Sequence, residues 1–128
     1  MNVDPKKVPL SKYRWAGNLL FLSGQIAFDH QGQLVGTDIA GQTRQVLRNI
    51  SDVLAECGCT LDDVVNTTVW LREEADFGEF NSVYAEHFQR ALPARSTVVS
   101  GLLAGALVEI AVVAHVPKNR EPEPFPKT

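Results

Sequence analysis

The stretch Ala106–Val116 constrains the fold most, because it has the composition of a β-strand and is apolar on both faces. The positions of one face are Ala106, Val108, Ile110, Val112, Ala114 and Val116; those of the other are Leu107, Glu109, Ala111, Val113 and His115. An antiparallel strand with one face in water usually carries polar residues at every second position. Since this strand has to be covered on both sides, we expect a second copy of the chain to cover one of them. The sequence therefore predicts a homo-oligomer.

Hydrophobic periodicity along the rest of the chain predicts an α+β domain. Two helices are expected, one capped by Asp38 and ended by Gly58, the other beginning near Asp76 and ending before Pro93. Strands are expected at 19–22, 64–71, 95–100 and 106–116, with a further hairpin near the N-terminus. The aromatic side of the second helix is expected in the core; its residues are Phe77, Phe80, Tyr84 and Phe88. We expect one domain over 1–117 and a proline-rich tail over 118–128.

Composition argues against several classes of function. The net charge is −3, and no basic cluster is longer than a pair, which disfavours a nucleic-acid partner. No apolar run approaches the ~18 residues of a membrane span, and the N-terminus lacks the apolar segment of a secretory signal, so we expect a cytoplasmic protein. Cys57 and Cys59 lack the paired spacing of a zinc site, and the three histidines are far apart, so no metal site is expected.

Two isolated charges, Arg95 and Glu109, lie in or beside the apolar strands. A guanidinium group is planar and can clamp a carboxylate through two parallel hydrogen bonds. A glutamate in apolar surroundings can hold a water molecule or transfer a proton. From spacing alone two interpretations remain open: a pocket for a carboxylate-bearing molecule, or an Arg95–Glu109 ion pair that joins two strands.

Five short motifs together resemble a known family. They are Ser23-Gly24-Gln25-Ile26, the helical segment 42–50, Asn81-Ser82-Val83-Tyr84, Pro93-Ala94-Arg95-Ser96 and Val108-Glu109-Ile110. In order and spacing, from about residue 9 to 117, they are similar to the Rid family of YjgF-type reactive intermediate (enamine/imine) deaminases. The resemblance implies a chorismate-mutase-like α+β fold, with a mixed sheet and two helices on one face. It also implies a homotrimer with clefts between subunits, in which the strand 64–71 separates the strands of Arg95 and Glu109.

The resemblance also implies roles for individual residues. Arg95 matches the arginine that binds the substrate carboxylate, and Glu109 matches the glutamate that positions water or shuttles a proton. Ser23 and Gly24 match a loop that lines the pocket, and Asn81 matches an asparagine at its rim.

Two further positions depart from the pattern of many relatives. Thr97 falls where many of them have cysteine, which changes the shape and polarity of the pocket. Leu10 falls where many have tyrosine, and Tyr13 could replace that tyrosine only if the loop were remodelled.

The activity implied by the resemblance is hydrolysis of small 2-enamine or 2-imine carboxylic acids to 2-keto acids and ammonia, without a metal or organic cofactor. One alternative is a trimeric binding or sensor protein for small carboxylates. Another is a dedicated catabolic deaminase for aminoacrylate or aminomuconate. A nuclease or translation inhibitor, a role given to some relatives, is disfavoured by the acidic balance of the chain.

Overall fold

The two predicted helices pack together against one face of a mixed β-sheet. The computed structural model describes residues 7–116, so the tail predicted for 118–128 lies outside the described residues. The strands are β1 (Tyr13–Ala16), β2 (Leu19–Leu22), β3 (Val64–Leu71), β4 (Ala94–Val99) and β5 (Val108–His115). The helices are α1 (Ile39–Glu56) and α2 (Phe77–His87), with short 3₁₀ turns at Leu61–Asp63, Glu74–Asp76 and Leu103–Gly105.

The strand order is β1-β2-β5-β3-β4, and only the β3–β4 pair, which α2 connects, is parallel. The N-terminal hairpin predicted from the sequence is confirmed as the pair β1–β2. Strand β3 lies between β4 and β5, as the family resemblance implies. The interpretation of Arg95 and Glu109 as a direct cross-strand ion pair, which spacing alone leaves open, is therefore wrong.

Helix α1 forms where the sequence predicts it. Asp38 caps its first turn, with Oδ1 accepting a hydrogen bond of 2.8 Å from the Gly41 amide. A cap of this kind stabilises a helix by about 1 kcal/mol. At the other end Gly58 adopts a φ of 73°, which a residue with a side chain rarely does. The predicted apolar stripe is buried, and it consists of Ile39, Thr43, Val46, Leu47, Ile50, Val53 and Leu54.

The sheet face away from the helices, which we call the open face, is covered by no other element within residues 7–116. Strand β5 alternates between the two faces: Val108, Ile110, Val112 and Ala114 are buried under the helices, whereas Glu109, Ala111 and Val113 are half-buried on the open face. Phe21 and Val98 lie on the same open face and remain 44% and 45% exposed. Apolar residues thus occupy a sheet face that one chain leaves uncovered, and the predicted homo-oligomer stays a prediction.

Candidate functional site

Arg95 lies on edge strand β4 and points toward the helices. Its register partner on β3 is Thr67, which is 1% exposed beneath helix α2. Nη2 of Arg95 donates a hydrogen bond of 2.8 Å to Oδ1 of Asn81, on the first turns of α2. The structure therefore brings together two of the predicted site residues, and Asn81 fixes one edge of the guanidinium.

Aromatic rings surround the rest of the Arg95 guanidinium. Its Cζ atom lies 4.8 Å from the ring centroid of Tyr84, 5.5 Å from that of Phe80 and 5.7 Å from that of Phe77. These distances fall within the ~6 Å over which a cation is attracted to the face of an aromatic ring. Phe80 and Tyr84 are buried as predicted, but Phe77 is 45% exposed, so its assignment to the core is wrong. The sequence does place all three rings on one side of α2, but not beside an arginine.

A buried hydrogen bond to strand β3 fixes the position of Tyr84. Its hydroxyl lies 2.9 Å from Oγ1 of Thr67, and the ring packs between Phe80 and Phe88. Burial raises the pKa of the Tyr84 hydroxyl, although the bond to Thr67 and the charge of Arg95 act in the opposite direction. The hydroxyl is therefore protonated at neutral pH, and the ring forms a fixed platform beneath the guanidinium.

Arg95 has no acidic partner within the described part of the chain. The ion pairs there are Lys12–Glu56, Arg44–Glu86 and Arg90–Asp62, all between exposed side chains. A half-buried arginine held by a neutral amide and aromatic rings keeps its positive charge available for an anion.

Glu109 lies on the open face of β5, directly opposite Trp70 in the β3–β5 ladder. Burial raises the pKa of its carboxyl group. On its other flank is Gly24: a Cβ atom added there would overlap Oε2 of Glu109. The carboxyl group therefore occupies space that any other residue at position 24 would fill.

The loop that holds Gly24 results from an irregularity between β2 and β5. Phe21 pairs with Val113 and Gln25 pairs with Ile110, so three residues of the first segment face two of the second. Such bulges turn side chains and backbone away from the regular ladder. Ser23 is tied down here, because its Oγ donates a 2.6 Å hydrogen bond to the Ser11 carbonyl. Ser23 thus forms a hydrogen bond at the end of its strand, whereas Gly24 contacts the glutamate.

The two departures from the family pattern have different outcomes. Tyr13 is 4% exposed in β1, opposite Leu22, so it belongs to the core and does not stand in for the missing tyrosine. Leu10 is 58% exposed, one residue before the Ser11 carbonyl that binds Ser23. Thr97 is half-buried on the same sheet face as Arg95, opposite Val69.

The site residues thus form two groups on opposite faces of the sheet. The arginine group, on the helix side, consists of Arg95, Asn81, Phe77, Phe80 and Tyr84. The glutamate group, on the open face, consists of Glu109, Gly24 and Trp70. Within residues 7–116 no cluster of three or more His, Cys, Asp or Glu side chains could hold a metal ion, and no helix is long and apolar enough to cross a membrane.

The chain is similar to proteins that carry deaminase names. It is 42% identical over 111 residues to the 3-aminoacrylate deaminase RutC of Acinetobacter baylyi, covering 85% of this chain and 86% of that one. It is 37% identical over 108 residues to the 2-iminobutanoate/2-iminopropanoate deaminase of Mus musculus, covering 83% and 80%.

Similarity extends to solved structures and to a family model. A Rid-family protein of Yersinia pestis, YyfA, described as of unknown function, superposes with a TM-score of 0.80 at 44% identity, over 84% of this chain and 88% of that one. The family model described as endoribonuclease L-PSP matches residues 3–116. The resemblance seen in the five motifs is thereby confirmed over nearly the whole chain, which belongs to the YjgF/Rid family.

Proposed function

We propose that the protein is a hydrolytic deaminase that converts small 2-enamine or 2-imine carboxylic acids to 2-keto acids and ammonia, in clefts between the subunits of a homotrimer. The observation that carries this proposal is the environment of the Arg95 guanidinium. Its guanidinium is half-buried, is held by Asn81 and three aromatic rings, and forms no ion pair within residues 7–116. A small carboxylate would supply the missing negative charge.

The arginine group provides binding and orientation. A guanidinium that has one edge bonded to Asn81 keeps further N–H groups for the two oxygens of a carboxylate. Fixing the carboxylate also fixes the direction of the neighbouring imine carbon, which favours attack by a positioned water molecule.

The glutamate group provides proton transfer. Water adds to the imine carbon while Glu109 accepts one of its protons and gives it to the nitrogen, which yields a carbinolamine with an amino group. Glu109 then relays the hydroxyl proton to that amino group, so that the C–N bond breaks, ammonia leaves and the carbonyl forms. Burial raises the pKa of Glu109, which makes its carboxylate a stronger base when deprotonated. The enamine tautomer first takes up a proton at carbon from water and loses one from nitrogen, which gives the imine on which Glu109 acts. No other reactant is required.

The placement of the two groups supports an assembly. Arg95 and Glu109 lie on opposite faces of one sheet, so a single subunit does not bring them to one substrate. If the open face of one subunit packs against the β4 edge of the next, each contact joins one arginine group to one glutamate group. A contact between two different surfaces forms a ring when its rotation closes, and a ring of three would agree with the trimer implied by the family resemblance.

The names of relatives support the substrate class. The mouse protein is named for 2-iminobutanoate and 2-iminopropanoate, which are 2-imine carboxylic acids. The Acinetobacter protein is named for 3-aminoacrylate, a small enamine carboxylic acid that carries its nitrogen on C3. Leu10, exposed next to the loop of Ser23, makes this wall of the cleft less polar than a tyrosine would. A dedicated catabolic deaminase would differ in its preferred member of this class.

The first experiment compares ammonia and pyruvate release from freshly generated 2-aminoacrylate, with semicarbazide as a competing trap for the imine. The wild-type protein should release both faster than buffer, and Arg95→Ala should not. Arg90→Ala is the matched control, because it removes an exposed arginine that pairs with Asp62 and belongs to neither group, and it should behave as wild type. Equal rates for the wild type and Arg95→Ala would refute the proposal for this substrate. Arg95-dependent binding of pyruvate without turnover would instead indicate a sensor.

A second experiment tests the shared cleft. Arg95→Ala and Glu109→Gln chains are unfolded, mixed in equal amounts and refolded together. If each cleft takes Arg95 from one subunit and Glu109 from the next, random assembly restores about a quarter of the clefts. A mixture as inactive as its two components would place both residues of a working cleft in one subunit and would contradict the arrangement.

A further inference from the structure

Trp70 has no part in the chemistry described so far, yet it is the register partner of Glu109. The two residues face each other across the β3–β5 ladder on the open face, and Val98 of β4 faces Trp70 from the other side. Directly opposed residues in an antiparallel pair have Cβ atoms about 5 Å apart, which is within reach of an indole ring. Trp70 is half-buried although no other element covers this face within residues 7–116.

Glu109 thus has a neighbour on each side. Trp70 lies opposite it on β3, and the backbone of Gly24 lies against Oε2 on the other side. Its neighbour along the same face of β5 is Ala111, which is apolar. None of these three residues offers a charge that would favour the ionised carboxylate.

The charged groups on this face belong to other contacts or lie further along the sheet. Arg72, directly after β3, donates from Nη2 to the Leu102 carbonyl at 3.4 Å. His115 lies at the far end of β5, with Nε2 3.2 Å from Nδ2 of Asn18. Arg14 lies on β1, two strands from β5. Strand β4 presents Ala94, Ser96 and Val98, and β2 presents Leu19 and Phe21.

We propose that Trp70 is a positioning residue for Glu109, which excludes water from one side of the carboxyl group and confines it against Gly24. This inference rests on the proposed function, because Glu109 is the group that transfers the proton there, and Trp70 is inferred to control the surroundings of that group. The raised pKa of Glu109, whose cause is burial, agrees with it. With the indole in place the carboxylate is a stronger base than that of an exposed glutamate.

The sign of the pH effect follows from the role of Glu109 as a base. Activity requires the carboxylate, so kcat/KM falls as the pH drops through the pKa of Glu109. Trp70→Ala admits water, which lowers that pKa toward its ordinary value and moves the acid limb to lower pH. The weaker and more mobile base should also lower the plateau of kcat/KM roughly tenfold. Trp70→Phe keeps a ring and should restore most of the plateau, and Val98→Ala should leave the acid limb in place.

A fluorescence titration tests the contact without turnover. The chain has two tryptophans, Trp15 and Trp70, so Trp15→Phe leaves Trp70 as the reporter. Its emission should change with pH at a midpoint above the ordinary range of glutamate, and Glu109→Gln in the same background should remove that transition. A transition that persists in Glu109→Gln, or an acid limb unmoved in Trp70→Ala, overturns the inference. A wild type inactive on enamines but with the Glu109-dependent transition would instead overturn the proposed function alone.

Discussion

The buried bond between Thr67 and Tyr84 gives the sharpest test of how the arginine group is built. The two hydroxyl oxygens lie 2.9 Å apart, and both side chains are almost fully buried, at 1% and 5% exposure. Tyr84→Phe removes one partner and leaves the ring in place. The Thr67 hydroxyl then loses its partner away from water, which costs about 1–3 kcal/mol of unfolding free energy. Thr67→Val removes the same bond but leaves Arg95 beside the Tyr84 hydroxyl as a hydrogen-bond partner, so this variant should cost less.

The double variant separates this bond from general disturbance of the core. With both hydroxyls removed, neither group is left unpaired, so the combined loss should be smaller than the sum of the two single losses by about 1 kcal/mol. Urea unfolding followed by circular dichroism measures all three variants and the wild type. The protomer concentration has to be the same throughout, because association contributes to the measured stability. Losses that add within about 0.5 kcal/mol would show that the hydroxyls do not interact.

Activity provides a second measurement on the same position. Tyr84→Phe keeps an aromatic face 4.8 Å from Cζ of Arg95, so kcat/KM should change less than about threefold. Tyr84→Leu removes that face, and a cation–π contact of about 0.5–2 kcal/mol corresponds to a loss of roughly 2- to 30-fold in kcat/KM. If Leu and Phe were equally active, the ring would not be what holds the guanidinium.

Three further changes test other parts of the site. Gly24→Ala should push the carboxyl group of Glu109 out of place and lower kcat about 10- to 100-fold in steady-state assays. The loss of stability should be small, because the displaced atoms are at the end of a flexible side chain. An unchanged kcat would contradict this prediction. Asn81→Ala removes the 2.8 Å bond to Arg95 and should raise KM about tenfold, which substrate titration measures, with an unchanged KM as the contrary outcome. Val113→Asp puts an unpaired charge on the half-buried open face, where it should disrupt the proposed trimer. Light scattering should then no longer give a molecular mass of about three times 14.1 kDa, and an intact trimer would contradict the interface assignment.

The elements of the fold were predictable because their signals are local. A 3.6-residue stripe over α1, an aspartate cap and a left-handed glycine all act within a few residues, and the structure has each of them. The bounds of β3 agree with the predicted 64–71, whereas β4 and β5 are displaced or shortened by one or two residues at their ends. Ends depend on neighbours in the sheet, which a local pattern does not contain.

The surroundings of the site were less predictable, because they depend on register. Phe77 continues the aromatic side of α2 and yet is 45% exposed, since it lies on the first turn, where the helix reaches the edge strand of Arg95. The contact between Gly24 and Glu109 depends on the irregular pairing of β2 with β5, which no turn residue in the sequence indicates. Trp70 does share alternating positions with Asn66 and Thr68, which indicates the less buried face of β3.

The register of β4 also explains why Arg95 forms no ion pair with Glu109 of the same chain. Side chains in a strand change face with every residue, so a shift of β4 by one residue would move Arg95 to the open face. There it would share a face with Glu109 two strands away, about 10 Å between the backbones, a gap that two long side chains can close. The resulting ion pair would neutralise both groups and close the anion site. The observed pairing of Arg95 with Thr67 instead directs the guanidinium to the aromatic rings of α2, beyond the reach of that carboxylate. The placement on which the proposed cleft between subunits rests thus also keeps the cation from being neutralised within its own chain.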